Sequence, residues 1–201
     1  MKKLLLGNEA VARGLYEAGC RVASSYPGTP STEITEYAAK YEDIYCEWAP
    51  NEKVAMEVAC GAAIAGARSF CAMKHVGLNV ACDPLFTASY TGVNAGMVIA
   101  VADDPGMHSS QNEQDSRHHA QASKTMMLEP SDSAECLAYT KLAYELSEQF
   151  DTPVILRLST RVSHSRSLSE TAERVDNGVK DYVKDPQKYV MMPCLLYTSD
   201  A

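Results

Sequence analysis

The 201-residue sequence lacks the glycine-rich motifs that bind nucleotides and the paired cysteines that bind metals. It has no Gly-Lys-Ser/Thr phosphate loop and no G-x-G-x-x-G after its first strand, which argues against nucleotide binding by these two routes. A G-x-S-x-G nucleophile elbow is also absent, which argues against an α/β-hydrolase. None of the seven cysteines belongs to a Cys-x-x-Cys pair, so this chain predicts neither a zinc ribbon nor an iron–sulfur cluster.

The sequence also lacks an excess of positive charge and a long apolar run. Its net charge is -8 and its pI is about 5.1, whereas a general nucleic-acid binder carries a basic patch. The apolar start of the chain ends at Gly7, far short of a signal core or a membrane span. The unpaired cysteines suit a reducing compartment, and most lie in apolar runs as small core residues do. We therefore expect a cytoplasmic protein that binds neither nucleic acid nor membrane.

Apolar segments of strand length alternate with helical patterns along residues 1–166. This alternation predicts an α/β domain with a doubly wound, mainly parallel sheet and helices on both faces. The predicted strands cover residues 21–25, 44–48, 68–73, 97–102, 126–128 and 153–158. From about residue 167 the chain becomes polar and irregular, so residues 167–193 are interpreted as a linker or a peripheral segment.

Capping residues predict where the helices begin and end. Asn8 is the expected cap of a helix over residues 9–18, with Gly19 after its end. Thr29 and Pro30 predict the start of a helix that reaches residue 40, since proline tolerates the first helical position. Asn51 and Glu52 predict a helix to residue 66, and a further helix is expected over residues 79–90. Asp132 and Glu135 have capping-box spacing before a helix whose expected apolar face is Tyr139, Leu142, Ala143, Leu146 and Phe150.

The unusual polar residues of the chain lie directly after predicted strands. The segments concerned are residues 26–31, 50–52, 74–77, 103–111 and 160–164. In an open parallel sheet the carboxyl ends of the strands share one edge, and ligands bind at that edge. The five segments together therefore predict a binding site.

Two simpler interpretations compete with a catalytic site at this edge. Asn51 could cap its helix while Glu52 only favours the positive helix end. A metal site could be assembled from acids and histidines, but no H-x-x-x-H spacing occurs, and adjacent histidines cannot both face one centre. The residues considered for that site are Asp103, Asp104, His108, His118 and His119. We predict no metal site; His118 and His119 are expected to be exposed with Arg117, and residues 103–106 alone are typical of a turn.

Five long motifs carry a resemblance to a known family. In chain order they are SYPGTPS (25–31), NEKVA (51–55), MKHVGLN (73–79), DDPGMHSSQNE (103–113) and RVSHS (161–165). They resemble the amino-terminal part of the alpha subunit of the indolepyruvate ferredoxin oxidoreductases, which are thiamine-diphosphate-dependent 2-oxoacid:ferredoxin oxidoreductases. The resemblance covers residues 1–193. Residues 194–201 do not resemble the family, and we expect them to be an atypical, truncated end.

The resemblance implies that the chain is a pyrimidine-binding domain. Glu52 matches the glutamate that contacts the aminopyrimidine ring of thiamine diphosphate and activates the cofactor. Gly28, Lys74 and His75 are the further expected cofactor-binding residues, although Lys74 and His75 could instead face solvent. The expected substrate-binding residues are Thr29, which could instead be a helix cap, together with His108 and Gln111.

The implied reaction is the oxidative decarboxylation of indolepyruvate and other aryl pyruvates to acyl-CoA. Coenzyme A takes the acyl group and ferredoxin is the electron acceptor. The family's diphosphate site needs a Gly-Asp-Gly segment that helps to hold Mg²⁺, and its 4Fe-4S clusters need cysteine ligand sets; neither is present here. We therefore expect a fragment that is inactive alone, completed by a diphosphate-binding domain, a beta subunit and an oligomeric assembly. The alternatives are the same chemistry on pyruvate or a branched-chain 2-oxo acid, or a non-catalytic α/β binding or assembly module.

Overall fold

The computed structural model describes residues 1–191 and contains one six-stranded parallel sheet with the strand order β3-β2-β4-β5-β7-β6. The strands are β1 (Lys2–Leu6), β2 (Val22–Ser25), β3 (Tyr45–Trp48), β4 (Ser69–Lys74), β5 (Met97–Asp103), β6 (Met126–Leu128), β7 (Val154–Ser159) and β8 (Arg166–Glu170). The helices are α1 (Gly7–Glu17), α2 (Thr32–Ala38), α3 (Glu52–Ile64), α4 (His75–Val80), α5 (Cys82–Thr91), α6 (Arg117–Ser123), α7 (Ser133–Phe150), α8 (Thr160–His164) and α9 (Pro186–Tyr189). The predicted α/β class and all six predicted strands of this sheet are confirmed.

Helices cover both faces of the sheet. One core lies under α1, α2 and α7 and contains Leu15, Phe70 and Tyr144. The second core lies under α3, α4 and α5 and contains Met56 and Ile99. The central strand β5 is buried at every position, which explains its continuous apolar sequence, since a strand covered on both faces needs no polar alternation.

A small antiparallel ribbon of β1 and β8 was not predicted. Its register pairs Lys2 with Glu170 and Leu4 with Leu168. The expectation that the chain is irregular from residue 167 is therefore wrong for residues 167–170, and the predicted boundary at residue 166 falls inside β8. The two strands are separated by most of the chain, so their pairing leaves no local signal. The expectation of an atypical, truncated end concerns residues 194–201, which lie outside the residues that the structure describes.

Three helix starts differ from the predictions. The helix expected over residues 79–90 begins at Cys82, after α4 has ended at Val80. Helix α1 begins at Gly7, so Asn8 lies inside its first turn and is not the cap. Helix α2 begins at Thr32, after Ser31, so Pro30 does not occupy the first helical position. The end of α1 is as predicted, because Gly19 follows it with a φ of +74°, a conformation that favours glycine.

The long helix α7 has the expected cap but a different buried face. Asp132 accepts a hydrogen bond from the backbone N–H of Glu135 at 2.9 Å. Two members of the predicted apolar face, Leu142 and Phe150, are 37% and 56% exposed, so that part of the prediction is wrong. Tyr144 and Ser147 are buried instead, because their hydroxyl groups bond to backbone atoms of Ser69, Met97 and Thr152. Polar side chains that are satisfied in this way can enter a core at little cost.

The cysteines of the described region are all free. Cys20, Cys71 and Cys136 are buried, which confirms their predicted role as small core residues. Burial raises the pKa of the Cys20 and Cys136 thiols to about 12. Within residues 1–191, none of the helices combines the length and the apolar character that crossing a bilayer requires.

Candidate active site

The loops after β2, β3, β4, β5 and β7 lie at one edge of the sheet, because all six strands run parallel. The chain leaves β2 for its outer neighbour β3 and then crosses back to β4 on the other side of β2. The connection from β2 therefore runs towards one side of the sheet, and the connection from β4 runs towards the other side. In open parallel sheets, the carboxyl edge at such a point is where ligands bind.

Glu52 is the first residue of α3 and is only 9% exposed. Asn51 caps the helix, since its side chain accepts a hydrogen bond from the backbone N–H of Val54 at 3.0 Å. The Glu52 side chain lies against Gly77 in α4: a Cβ placed on Gly77 would be 2.6 Å from Glu52 Oε1 and 2.9 Å from its Cδ. A glycine at this position therefore provides the space that the carboxylate occupies.

The Glu52 carboxylate has neither a hydrogen bond nor an ion pair with any other residue in the described part of the chain. Most of the Glu52 side chain is covered, but its carboxylate oxygens are not fully buried and stay accessible at the edge of the sheet. A fully exposed first-turn acid would not have most of its side chain covered in this way. The geometry instead fits a carboxylate that is held ready for a donor group from outside the chain.

Lys74 connects three of the loops at this edge. Its aliphatic chain lies on Gly28, where an added Cβ would be 3.1 Å from Lys74 Cδ. Its Nζ donates a hydrogen bond to the backbone oxygen of Ser109 at 2.6 Å. The half-buried Lys74 therefore holds the loop after β5 beside the loop after β2, and the alternative that it simply faces solvent is wrong.

His75 is fully buried at the start of α4, so the alternative that it faces solvent is also wrong. Its Nε2 lies 2.9 Å from the backbone oxygen of Asn112. A carbonyl oxygen only accepts, so Nε2 carries a proton and donates this hydrogen bond. Nδ1 is buried and has no partner within residues 1–191.

Thr29 is exposed at the same edge and is not a helix cap, because α2 begins three residues later at Thr32. Its hydroxyl makes no hydrogen bond within the described residues. The loop around it is held internally: Gly28 N donates to Thr32 Oγ1 at 2.8 Å, and Ser31 Oγ donates to Gly28 O at 2.8 Å. Thr29 thus presents an uncommitted hydroxyl on an ordered loop.

Asp104 organises the loop that carries His108 and Gln111, a role that the sequence analysis missed. Its carboxylate accepts hydrogen bonds from Ser109 N at 2.7 Å, Ser110 Oγ at 2.9 Å and Thr160 Oγ1 at 2.7 Å. Burial alone would raise the Asp104 pKa, but these donors stabilise the charged form and lower the pKa to about 2. In the sequence, the signal for this role was the pair Ser109 and Ser110, five and six residues after Asp104.

His108 and Gln111 are both exposed, but only His108 lines a cavity. That cavity has a volume of about 400 Å³ and lies between the loops after β5 and β7. Its other lining residues are Pro105, Ser159, Thr160 and Arg161. The structure therefore brings His108 together with Thr160 and Arg161, whereas Gln111 does not line this cavity.

Three of the five residues that could be assembled into a metal site, Asp103, Asp104 and His119, have other partners. Asp103 accepts hydrogen bonds from Ser116 N at 3.1 Å and from Arg157 Nε at 2.8 Å. His118 is exposed as predicted, whereas His119 is half-buried with its Nε2 3.1 Å from Asn79 Oδ1. In the part of the chain that the structure describes, no three His, Cys, Asp or Glu side chains are grouped to hold a metal ion.

Comparison with known proteins gives consistent matches over almost the whole chain. The family profile described as pyruvate flavodoxin/ferredoxin oxidoreductase, thiamine diphosphate-binding, matches residues 13–192. Indolepyruvate oxidoreductase subunit IorA of Methanothermobacter marburgensis is 53% identical over 193 residues, which are 94% of this chain and 31% of that protein. The corresponding subunit of Methanothermobacter thermautotrophicus is 52% identical over 196 residues, with 96% and 32% covered. The chain thus spans about a third of the length of these relatives.

A solved structure has the same fold. It is the 2-oxoglutarate:ferredoxin oxidoreductase from Magnetococcus marinus with 2-oxoglutarate, coenzyme A and succinyl-CoA bound. The TM-score is 0.75 at 23% identity, and the match covers 86% of this chain and 33% of that one. At this identity the likeness concerns the fold.

Proposed function

Because the chain belongs to the pyruvate flavodoxin/ferredoxin oxidoreductase family of thiamine diphosphate-binding domains, we propose that it is the pyrimidine-binding part of a 2-oxo acid oxidoreductase. The observation that carries this proposal is that the Glu52 side chain is largely covered at the carboxyl edge of the sheet, while its carboxylate has no hydrogen bond or ion pair within the described residues. The relatives that share about half of its residues are indolepyruvate oxidoreductase subunits, which supports the same reaction class here.

Glu52 and Gly77 fit the aminopyrimidine of thiamine diphosphate. The absence of a Cβ at Gly77 lets the Glu52 carboxylate occupy this position at the edge of the sheet, where it could accept a hydrogen bond from a ring nitrogen. When bound, the cofactor supplies a nucleophilic carbon that adds to the 2-oxo carbon and lets carbon dioxide leave. Glu52 would hold a proton at the ring nitrogen, and so promote deprotonation of the cofactor.

The neighbouring residues would form the walls of this site. Gly28 and Lys74 are in contact, and His75 is buried beside them, so these three residues would flank the cofactor. Thr29 presents a free hydroxyl that can donate to a substrate carboxylate. His108 and Gln111, on the loop that Asp104 orders, would contact the remainder of the substrate.

We further propose indolepyruvate and other aryl 2-oxo acids as the substrates, coenzyme A as the acyl acceptor and ferredoxin as the electron acceptor. Mg²⁺ and the 4Fe-4S clusters would be bound by a diphosphate-binding domain and a beta subunit, in an oligomeric cytoplasmic enzyme. The alternative substrates are pyruvate and branched-chain 2-oxo acids. Turnover of the assembled enzyme on a panel of these acids distinguishes them: a higher kcat/KM on pyruvate than on indolepyruvate would refute the aryl assignment.

The substitution Glu52→Gln tests the catalytic role in the assembled, full-length enzyme. Glutamine keeps the shape of the side chain but cannot exchange the proton, so we expect turnover to fall by more than about tenfold, or roughly 1.4 kcal/mol in the barrier. Glu57→Gln is the matched control, because Glu57 is exposed on the same helix. A loss of less than tenfold in Glu52→Gln would favour a non-catalytic binding or assembly module.

A further inference from the structure

Asn8 is a fully buried amide that binds the loop carrying Thr29. It lies in the first turn of α1, and its Nδ2 donates to the backbone oxygen of Pro30 at 2.8 Å and to Glu33 Oε2 at 3.0 Å. Both partners are acceptors, so both N–H groups of the amide are used and its orientation is fixed. The Asn8 Oδ1 atom is left buried without a partner in the described region, a cost that an apolar residue would avoid.

The start of α1 is itself held firmly. A Cβ on Gly7 would collide with the backbone oxygen of Val162, so the helix end is packed directly on α8. Gly7 N also donates to the backbone oxygen of Ser165 at 3.0 Å. Asn8 therefore reaches the Pro30 carbonyl from a fixed position beside the loop after β7.

Within the described residues, no other hydrogen bond of the loop could replace the one that Asn8 donates to Pro30. The bonds among Gly28, Ser31 and Thr32 set the internal shape of residues 26–31, but they do not tie the loop to the rest of the domain. Among residues 1–191, the Asn8–Pro30 bond is the single hydrogen bond between residues 26–31 and any element other than α2. Pro30 directly follows Thr29, so this bond fixes the backbone next to the exposed hydroxyl.

We propose that Asn8 is a positioning residue that sets the place of the Thr29 hydroxyl over the site. The inference rests on the proposed function, in which Thr29 binds the carboxylate of a 2-oxo acid. Losing the Asn8 bond lets the loop shift, and the contact between Thr29 and the substrate is then weakened. Glu33 also lies near α8, with its Oε1 3.6 Å from His164 Nε2.

The test compares KM and kcat in the assembled enzyme for Asn8→Asp, Thr29→Val and the double variant. Aspartate has nearly the shape of asparagine, but its carboxylate oxygens only accept hydrogen bonds. Both partners, the Pro30 carbonyl and the Glu33 carboxylate, are acceptors too, so neither bond can form. We expect the KM for the 2-oxo acid to rise about tenfold in each single variant, with kcat changed less than threefold. The double variant should be no worse than either single variant, because both remove the same contact. Partial unfolding lowers the active fraction and hence kcat, but it leaves KM unchanged.

The outcomes distinguish the proposed substrate role of Thr29 from the positioning role of Asn8. If Thr29→Val leaves KM unchanged, the substrate assignment of Thr29 is wrong and the role of Asn8 falls with it. If Thr29→Val raises KM but Asn8→Asp does not, or if the two effects multiply, only the role of Asn8 is refuted. If Asn8→Asp fails to assemble, Asn8→Ala replaces it, because alanine removes the donor without adding charge. We expect the same rise in KM.

Discussion

The contact between Gly77 and Glu52 makes Gly77→Ala an informative substitution. A new Cβ would lie 2.6 Å from Glu52 Oε1 and 2.7 Å from its Cγ, whereas an ordinary contact begins at 3.4 Å. The carboxylate must therefore retreat by about 0.8 Å. A displacement of about 1 Å at a reacting group costs roughly a hundredfold in rate, or about 2.7 kcal/mol in the barrier.

Stability should change far less than activity in this variant. Alanine is favoured over glycine in a helix by roughly 0.5–1 kcal/mol, which offsets part of the strain at Glu52. We expect turnover of the assembled enzyme to fall between tenfold and a hundredfold. The free energy of unfolding should stay within about 1 kcal/mol of the original protein, as measured by chemical denaturation.

Gly61→Ala is the matched control. Gly61 lies in α3, the helix of Glu52, and a Cβ placed on it would meet nothing within 4 Å. This variant should turn over like the original enzyme and be slightly more stable. If Gly77→Ala retains turnover within twofold of Gly61→Ala, the placement of Glu52 by Gly77 does not matter and the reasoning is refuted.

Three further predictions concern acid stability, cysteine reactivity and cofactor binding. The Asp104 pKa is lowered from 3.8 to about 2, so its stabilising contribution of roughly 2 kcal/mol is present above pH 4 and is lost as the pH falls towards 2. Asp104→Asn should be less stable at pH 7 and should lose less on acidification; equal pH profiles in denaturation would contradict this. Iodoacetamide at pH 8 should leave Cys20, Cys71 and Cys136 unmodified until the chain unfolds, because burial raises the pKa of all three thiols, and rapid labelling detected by mass spectrometry would contradict it. The isolated chain should show no Mg²⁺-dependent micromolar binding of thiamine diphosphate in calorimetry; clear tight binding would place the diphosphate site within this chain.

Much of the sheet could be predicted because its strands are local apolar signals. Residues 97–102 of β5 are all apolar and half of them are β-branched, and the polar segments follow the strand ends. Parallel strand order then places those segments at one edge. The class of fold therefore follows from the pattern alone, and the pattern also predicts a site at this edge.

Contacts between residues that are far apart in sequence leave no local signal of this kind. The pairing of β1 with β8 and the bond from Asn8 to Pro30 each join segments that are far apart in sequence. Asn8 fits the pattern of a helix cap, and only its burial reveals that it binds another loop. Gly77 likewise carries no local sign that a carboxylate lies against it, because its role depends on the meeting of α3 and α4.

In the proposed function, the Glu52 carboxylate promotes deprotonation of the bound cofactor. The direct measurement is the rate at which the proton on the thiazolium carbon of bound thiamine diphosphate exchanges for deuterium, followed by NMR in the assembled enzyme without substrate. Proton transfer by a positioned side chain contributes roughly 10²–10⁴-fold, so we predict that Glu52→Gln slows this exchange about a hundredfold or more. An exchange rate within twofold of the original enzyme would contradict the assignment of Glu52.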